Sequence, residues 1–508
     1  MTMLFPREVA PVRELRDYQV EAIHALRTSL RSGKRRPILQ AATGSGKTRL
    51  AGEIFSLARE KGNRVVFCVP RIDLIDQTLE SFWSDGIGDI GVIQADHVET
   101  DWSRPVQIAS VQTLQRRGYP DAQLVITDEC HMGFKFIHEW MALPAWQNVP
   151  FIGLSATPWT KGLGKHYDDL IIATTTKDMI DKGYLSKFKV FAPSHPDLKG
   201  VRVQRGDYVE SDLSEAMNKA PLVANIVETW LRQGEGRPTL CFGVDRAHAK
   251  ALQQQFLAAG VSCGYQDSYT EKDERAEIKR KFHAREYAVV CNIATLTTGV
   301  DWDVRCIILA RPTRSDILLC QIVGRGLRTA PGKDHLVLLD HSDSTLKLGL
   351  VTDIHHDELD DGNNDKKKKK DEPLPKECPK CTYLMPPKTL KCPSCGHEKQ
   401  LPPGIKNVEG ELVEFGTGGK VHEKIKNGCI EMRGKQIPLA EFFGELKCYA
   451  ESHGYKPGWA AQKYKTATGV WPNAHKGVEA IPPRYEVLSW IKSQTIRFLK
   501  AREKADAR

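Results

Sequence analysis

The chain is 508 residues long, 41% hydrophobic, 27% charged and 8% aromatic, with 73 Lys and Arg against 64 Asp and Glu for a formal charge of +9. That length makes about three or four domains, each able to bury a core, and the balance excludes collagen, a wholly disordered chain and a small disulfide scaffold. No apolar run approaches the ~20 residues of a membrane span, and the short, quickly charged start M-T-M-L-F-P-R does not read as a secretory signal.

Short apolar, β-branched runs at 36–41, 64–70, 106–110, 122–127 and 151–155 alternate with amphipathic stretches such as 48–61 and 71–83. This is the pattern of a parallel sheet covered by helices, and it predicts a first α/β domain over 1–185. The mixed polar stretch 186–219 reads as a linker or insertion. The pattern resumes over 220–352, with strands at 239–244, 288–293, 305–310 and 335–340 and helices at 246–259 and 272–283. From Asp357 the run D-E-L-D-D-G-N-N-D-K-K-K-K-K-D-E-P-L-P-K has opposed charge blocks and no apolar period, so 353–376 reads as a flexible charged linker. Of 13 cysteines four crowd into 377–400; most of the others sit in apolar runs, the usage of a reduced compartment with one metal site. The last segment, 401–508, holds 18 basic and 12 acidic residues, a balance suited to a polyanion.

Two elements carry phosphate chemistry. In R-P-I-L-Q-A-A-T-G-S-G-K-T-R-L a turn made by Thr43, Gly44, Ser45 and Gly46 lies between a strand and a helix. Its glycines let successive N–H groups face phosphate oxygens, with the helix dipole behind them. Lys47 supplies a charge for the β- and γ-phosphates of ATP and the Thr48 hydroxyl a ligand for Mg²⁺. Ala41 stands where the strict pattern has glycine. The second element, L-V-I-T-D-E-C-H, ends an apolar strand in two carboxylates, at the edge where open α/β sheets bind ligands. Asp128 is placed to hold Mg²⁺ and Glu129 to orient and deprotonate an attacking water.

Arg16-Asp17-Tyr18-Gln19 precedes Lys47 at a spacing from which Gln19 reaches adenine while Tyr18 or Arg16 packs on the ring. S-A-T-P follows at 155–158, and Q-I-V-G-R-G-L-R sets Arg325 and Arg328 three apart, on one helical face. In this order the motifs resemble those of the superfamily 2 helicases and translocases of the D-E-x-H type, over about residues 13–345. The stretch from Asn292 to Lys333, followed by H-L-V-L-L-D, is most similar to RadD-like and phage-type DNA helicases, with Asp303 where proline is usual. The resemblance implies two tandem RecA-like (P-loop NTPase) domains with ATP in the cleft between them. It implies Arg325 and Arg328 as arginine fingers beside Gln321, and Gly299 and Asp301 as the link between nucleotide state and grip. It further implies backbone contacts to nucleic acid by Arg71, Ser110, Gln112, Thr113, Thr295 and Thr298, which position a strand and do not read it. The implied activity is an ATP-dependent DNA helicase or translocase working on single-stranded or branched DNA in replication, recombination or repair, with a possible protein partner from those processes. It would act in the cytoplasm of a bacterial or phage-infected cell, at the nucleoid. An RNA helicase, and a DNA-binding adaptor with a vestigial motor, are the rival readings.

C-P-K-C and C-P-S-C-G bring Cys378, Cys381, Cys392 and Cys395 together as two knuckles, the spacing of a structural Zn²⁺ ribbon with the metal supplying its folding energy. Beyond it, in the basic C-terminal domain, Trp459, Tyr464 and Trp471 alternate with Lys456, Lys463 and Lys465. Stacking faces interleaved with cations suit a single strand. The same aromatics read as the core of a small helical domain, and for Trp459 and Trp471 that reading is the favoured one.

Overall fold

Every strand run expected in the first segment forms a strand of one sheet. Its members are β1 (Pro37–Ala41), β2 (Val65–Val69), β3 (Ile90–Ile93), β4 (Val106–Ser110), β5 (Leu124–Asp128), β6 (Phe151–Ser155) and β7 (Asp169–Thr174). Their order is β3-β4-β2-β5-β6-β1-β7, and all neighbours are parallel. β1, β2, β4 and β6 are buried along their whole length, as strands covered on both faces must be. Phe55, Phe67 and Phe82 pack edge to face in one core layer, and Trp140 packs with Trp146 and Phe151 in the other. The computed structural model describes residues 14–94, 97–204, 206–293, 295–297, 302–363, 374–387, 389–398, 425–426, 428–432, 434–456, 458–475 and 477–494.

The second sheet begins earlier than the sequence pattern suggests. β8 (Lys187–Phe191) lies inside the stretch expected to be a linker, yet it pairs in parallel with the last strand of the second domain. Its run K-F-K-V-F alternates lysine with apolar residues because it is an edge strand, half exposed, and so it reads as polar. A hairpin of β9 (Val203–Gln204) and β10 (Asp207–Tyr208) follows. The sheet is completed by β11 (Thr239–Phe242), β12 (Cys263–Gln266), β13 (Val289–Asn292), β14 (Cys306–Leu309) and β15 (His335–Asp340), in the order β12-β13-β11-β14-β15-β8, all parallel.

The start of the expected charged linker is likewise built in. Leu359 packs into the first domain, Gly164 donates its amide to the Asp360 carbonyl (2.7 Å), and Gly162 donates to the Asp360 carboxylate (2.9 Å). His356 stacks on Trp159 at 4.7 Å. One leucine and one capping carboxylate anchor a segment whose charge blocks suggest a free chain; residues 364–373 lie outside the described residues. The cysteine segment forms a small hairpin, β16 (Lys376–Glu377) against β17 (Leu384–Met385), fastened to β8 by the Ala192 amide bonding to the Thr382 carbonyl (2.9 Å) and by Tyr383 packing on Phe191.

The chain divides into two units, Met1–Leu401 and Pro402–Arg508. In the second, an antiparallel sheet of β18 (Ile425–Lys426), β19 (Cys429–Met432) and β20 (Lys435–Pro438) leads into helices Leu439–Ser452 and Trp459–Thr468. Tyr464 is in its core, as is Glu445, whose carboxylate accepts from the Arg484 amide (2.9 Å) and guanidinium (2.5 Å). Among the described residues no helix is long and apolar enough to cross a membrane.

Candidate active site

The phosphate loop joins β1 to helix Lys47–Arg59. Gly44 (φ +84°) and Gly46 (φ +80°) both adopt the left-handed conformation, and a Cβ at Gly46 would stand 2.9 Å from Gln19 Nε2, so conformation and space both require glycine there. The loop is braced from the segment before it. Gln19 Nε2 and the Tyr18 hydroxyl donate to the Ser45 carbonyl at 2.9 and 2.7 Å, while Gln19 Oε1 accepts from the Arg16 amide at 2.9 Å. The Arg16 guanidinium lies 4.2 Å over the Tyr184 ring. The buried Ser45 hydroxyl has no protein partner, and the first amides of the following helix have no helical acceptor. Orphan donors at the positive end of a helix dipole fit a phosphate.

β5 delivers Asp128 to the same edge. Glu129 takes a left-handed conformation (φ +47°), uncommon for a residue with a side chain, which turns the chain sharply into Cys130–Met132. Its Oε1 is 3.6 Å from Lys47 Nζ and its carboxylate 3.3 Å from His131 Nδ1. Burial, and then the adjoining Glu129 charge, pushes the Asp128 carboxyl up to about 6. For Glu129 burial acts in the same direction, but Lys47 and His131 outweigh it and hold the carboxyl well below its usual range. Glu129 is thus the first of the pair to ionise as pH rises.

His131 is the hub. Its Nδ1 is 2.9 Å from the Ser155 hydroxyl, which also accepts from the Thr157 amide (3.0 Å), and its Nε2 is 2.9 Å from the Gln321 amide nitrogen. With Gln321 donating, the ring proton is assigned to Nδ1. One buried imidazole therefore ties the acidic element, S-A-T-P and the second domain together. His131 and Ser155 are not among the site residues expected from the sequence, although both lie in motifs that mark the site; a polar residue beside the acidic pair is the signal for His131, and its place at the head of S-A-T-P the signal for Ser155.

The second domain closes the site with helix Asp316–Gly326. Gly324 approaches the phosphate loop so closely that a Cβ there would be 2.8 Å from Thr43 Cβ. Arg325 is buried, donates from Nε to the Thr297 carbonyl (2.7 Å), and contributes charge that lowers Glu129. The two arginines do not share a helical face as expected. The helix stops at Gly326, and Arg328 lies beyond it in an antiparallel bridge to Leu185, its Cγ 3.7 Å from where a Gly44 Cβ would be. The Ser186 amide bonding to the Leu327 carbonyl (2.7 Å) draws the chain out of the helix at this point. Thr48, at the start of the phosphate-loop helix, is half-buried.

The expected strand contacts fall at the ends of neighbouring strands. Val69 of β2 is paired with Ser110 of β4, and exposed Arg71 follows β2. Ser110 Oγ accepts from the Thr113 amide (3.1 Å) and caps helix Val111–Arg117, while Gln112 Nε2 donates to the Pro70 carbonyl (2.8 Å). Thr295 follows β13 with its hydroxyl buried and unpartnered. Thr298, Gly299 and Asp301 lie outside the described residues.

The sulfurs of Cys378, Cys381, Cys392 and Cys395 all lie within 4.8 Å of one another, with Cys378–Cys395 at 3.7 Å and Cys381–Cys392 at 3.6 Å. Four thiolates ~2.3 Å from a tetrahedral ion are roughly 3.8 Å apart, so the donor set fits Zn²⁺ in size and chemistry.

A family model described as type III restriction enzyme, res subunit, matches residues 13–160, and one described as helicase conserved C-terminal domain matches residues 219–330. The chain is similar to a 51.5 kDa protein of Lactococcus phage (isolate 7-9), 29% identical and covering 71% of this chain and 78% of that protein. It is similar to the "Putative ATP-dependent helicase IRC3" of Saccharomyces cerevisiae, 33% identical over 68% of this chain and 53% of that one. It is also similar to the DNA 3'-5' translocase XPB2 of Sulfurisphaera tokodaii, 25% identical over 57% of this chain and 72% of that one. The chain thus spans about half the length of the yeast relative and more than three quarters of the phage protein.

Proposed function

The chain belongs to the superfamily 2 helicases and carries the motor domains of an ATP hydrolase, and on that premise we propose that it couples ATP hydrolysis to movement along single-stranded DNA or to remodelling of branched DNA. The observation that carries this reading is the continuous path Lys47–Glu129–His131–Gln321, which runs from the phosphate loop through the acid pair into the second domain. A change at the γ-phosphate has a direct mechanical route to domain closure along it.

In this reading Lys47, Ser45 and the loop amides hold the phosphates. Thr48 and Asp128 would hold Mg²⁺, which neutralises phosphate charge when bound. Glu129, kept ionised, orients the attacking water and accepts its proton. Arg325 and Arg328 bring positive charge from the second domain toward the transferred phosphoryl group. Arg16, Tyr18 and Gln19 bear on the adenine side, and Gly299 and Asp301 on coupling. Arg71, Ser110, Gln112, Thr113, Thr295 and Thr298 hold the strand's phosphates. Cys378, Cys381, Cys392 and Cys395 hold Zn²⁺, whose binding energy folds a hairpin with almost no core. The name of the Sulfurisphaera relative supports DNA as the track; a place at the nucleoid in replication, recombination or repair belongs to the same proposal and rests on the sequence resemblance alone.

ATPase rates with single-stranded DNA, duplex and RNA, followed by strand displacement on forked, tailed and gapped DNA, test the proposal. Stimulation by single-stranded DNA is expected; stimulation by RNA alone would overturn the assignment of DNA.

A further inference from the structure

The second unit carries an aromatic block that runs from the edge of its core out to the surface. Inside that core two pairs of rings meet at steep angles, Phe442 with Trp490 at 79° and Phe443 with Tyr464 at 75°, and Phe442 is tilted on Tyr464 at 30°. Where helix Leu439–Ser452 ends and helix Trp459–Thr468 begins, four rings instead lie nearly parallel. Tyr449 stacks on His453 at 4.0 Å and 20°, Tyr455 on Trp459 at 4.7 Å and 4°, and Tyr449 joins the two pairs through Trp459 at 5.6 Å and 26°. Tyr455 is 45% exposed and His453 is exposed beside it. A second ring, Trp471, stands 47% exposed where the sequence favours a core position, while Trp459 does pack against the core.

Cations accompany both rings. The Lys463 ammonium lies 5.6 Å over Trp459, one helical turn away, and that of Lys465 lies 4.4 Å over Trp471. From Lys447 to Lys476 the chain has five lysines and one glutamate. Exposed rings in parallel array extend a stack of bases, and only unpaired bases offer their faces, so a duplex does not fit. The lysine excess opposes a basic or apolar protein partner and complements phosphates.

We propose that this ring array binds a single strand of DNA, a base stacking on Tyr455 and the neighbouring phosphates meeting Lys456 and Lys463. The choice of DNA over RNA rests on the function proposed above; a single-strand site in this unit does not. Such a site would hold the track while the motor domains release it.

Fluorescence anisotropy with labelled oligo-dT and oligo-U, on the full chain without nucleotide, tests this. Tyr455→Ala should weaken oligo-dT binding by roughly fivefold or more. Lys463→Glu should weaken binding and reduce its salt dependence, which keeps the site testable if the aromatic variant folds poorly. The same losses are expected in a Lys47→Ala background, so a motor that never hydrolyses ATP leaves this test intact. Unchanged oligo-dT affinity in Tyr455→Ala and in Lys463→Glu overturns the site, and losses seen with oligo-U alone overturn its assignment to DNA.

Discussion

The motor domains meet at two places built from different materials. At the nucleotide end the joints are buried and directional: the Gln321 amide against His131 at 2.9 Å, Gly324 against Thr43, and Tyr18 and Ala42 packed into the core of the second domain. At the other end two exposed ion pairs bridge the domains, Arg275 to Asp73 at 3.7 Å and Lys272 to Asp76 at 3.8 Å. Short buried bonds cost free energy to break, whereas long exposed pairs are screened and adaptable. In the function proposed above, the tight contacts lie where the phosphates would bind, and the exposed pairs are those that a hinge motion of the two domains would break most easily.

The largest expected effect removes the chemistry from the tight end. Glu129→Gln keeps the shape of the side chain but not its ability to accept a proton, so kcat should fall by about 10²–10⁴ while nucleotide binding persists. Steady-state ATPase beside nucleotide titration measures both. An undiminished rate would show that the buried acid pair is a structural joint only.

Much of that end is legible in the sequence because its residues are contiguous. Gly44 to Thr48 and Asp128 to Glu129 are read directly as motifs, and the strands that carry them are continuous apolar runs. What escaped is what depends on contacts distant in sequence. β8 looks polar because it is an edge and β12 is interrupted by a glycine, whereas β3 (I-G-V-I) and β7 (L-I-I-A) are apolar runs too short to stand out from their surroundings. Leu359 and Asp360 anchor 353–363 through partners some two hundred residues away. The end of the helix before Arg328 is set by a bridge to Leu185, which no spacing within Q-I-V-G-R-G-L-R reveals.

A smaller effect is expected from loosening the joint without touching the chemistry. Gln321→Ala deletes the amide that donates to His131 and leaves Lys47, Glu129 and the phosphate loop in place. One interdomain hydrogen bond contributes about 1 kcal/mol, so DNA-stimulated ATPase should drop by roughly fivefold, and the unstimulated rate by less. Equal loss in both rates would mean that Gln321 acts on the phosphates and not through closure, which sharpens the division between the two ends.

The smallest effect should come from the far end. Lys272 is 93% exposed, and its only ion pair among the described residues is the one with Asp76, whose carboxylate also meets His97 at 3.0 Å. A long flexible side chain held at 3.8 Å in water loses in ordering most of what it gains in attraction, and salt screens the remainder. Lys272→Ala should therefore leave Tm within about 1 °C of the parent and DNA-stimulated ATPase unchanged at any ionic strength. A fall in stimulated ATPase that vanishes at high salt would identify this pair as a latch, and the governing contacts would then lie at both ends of the cleft.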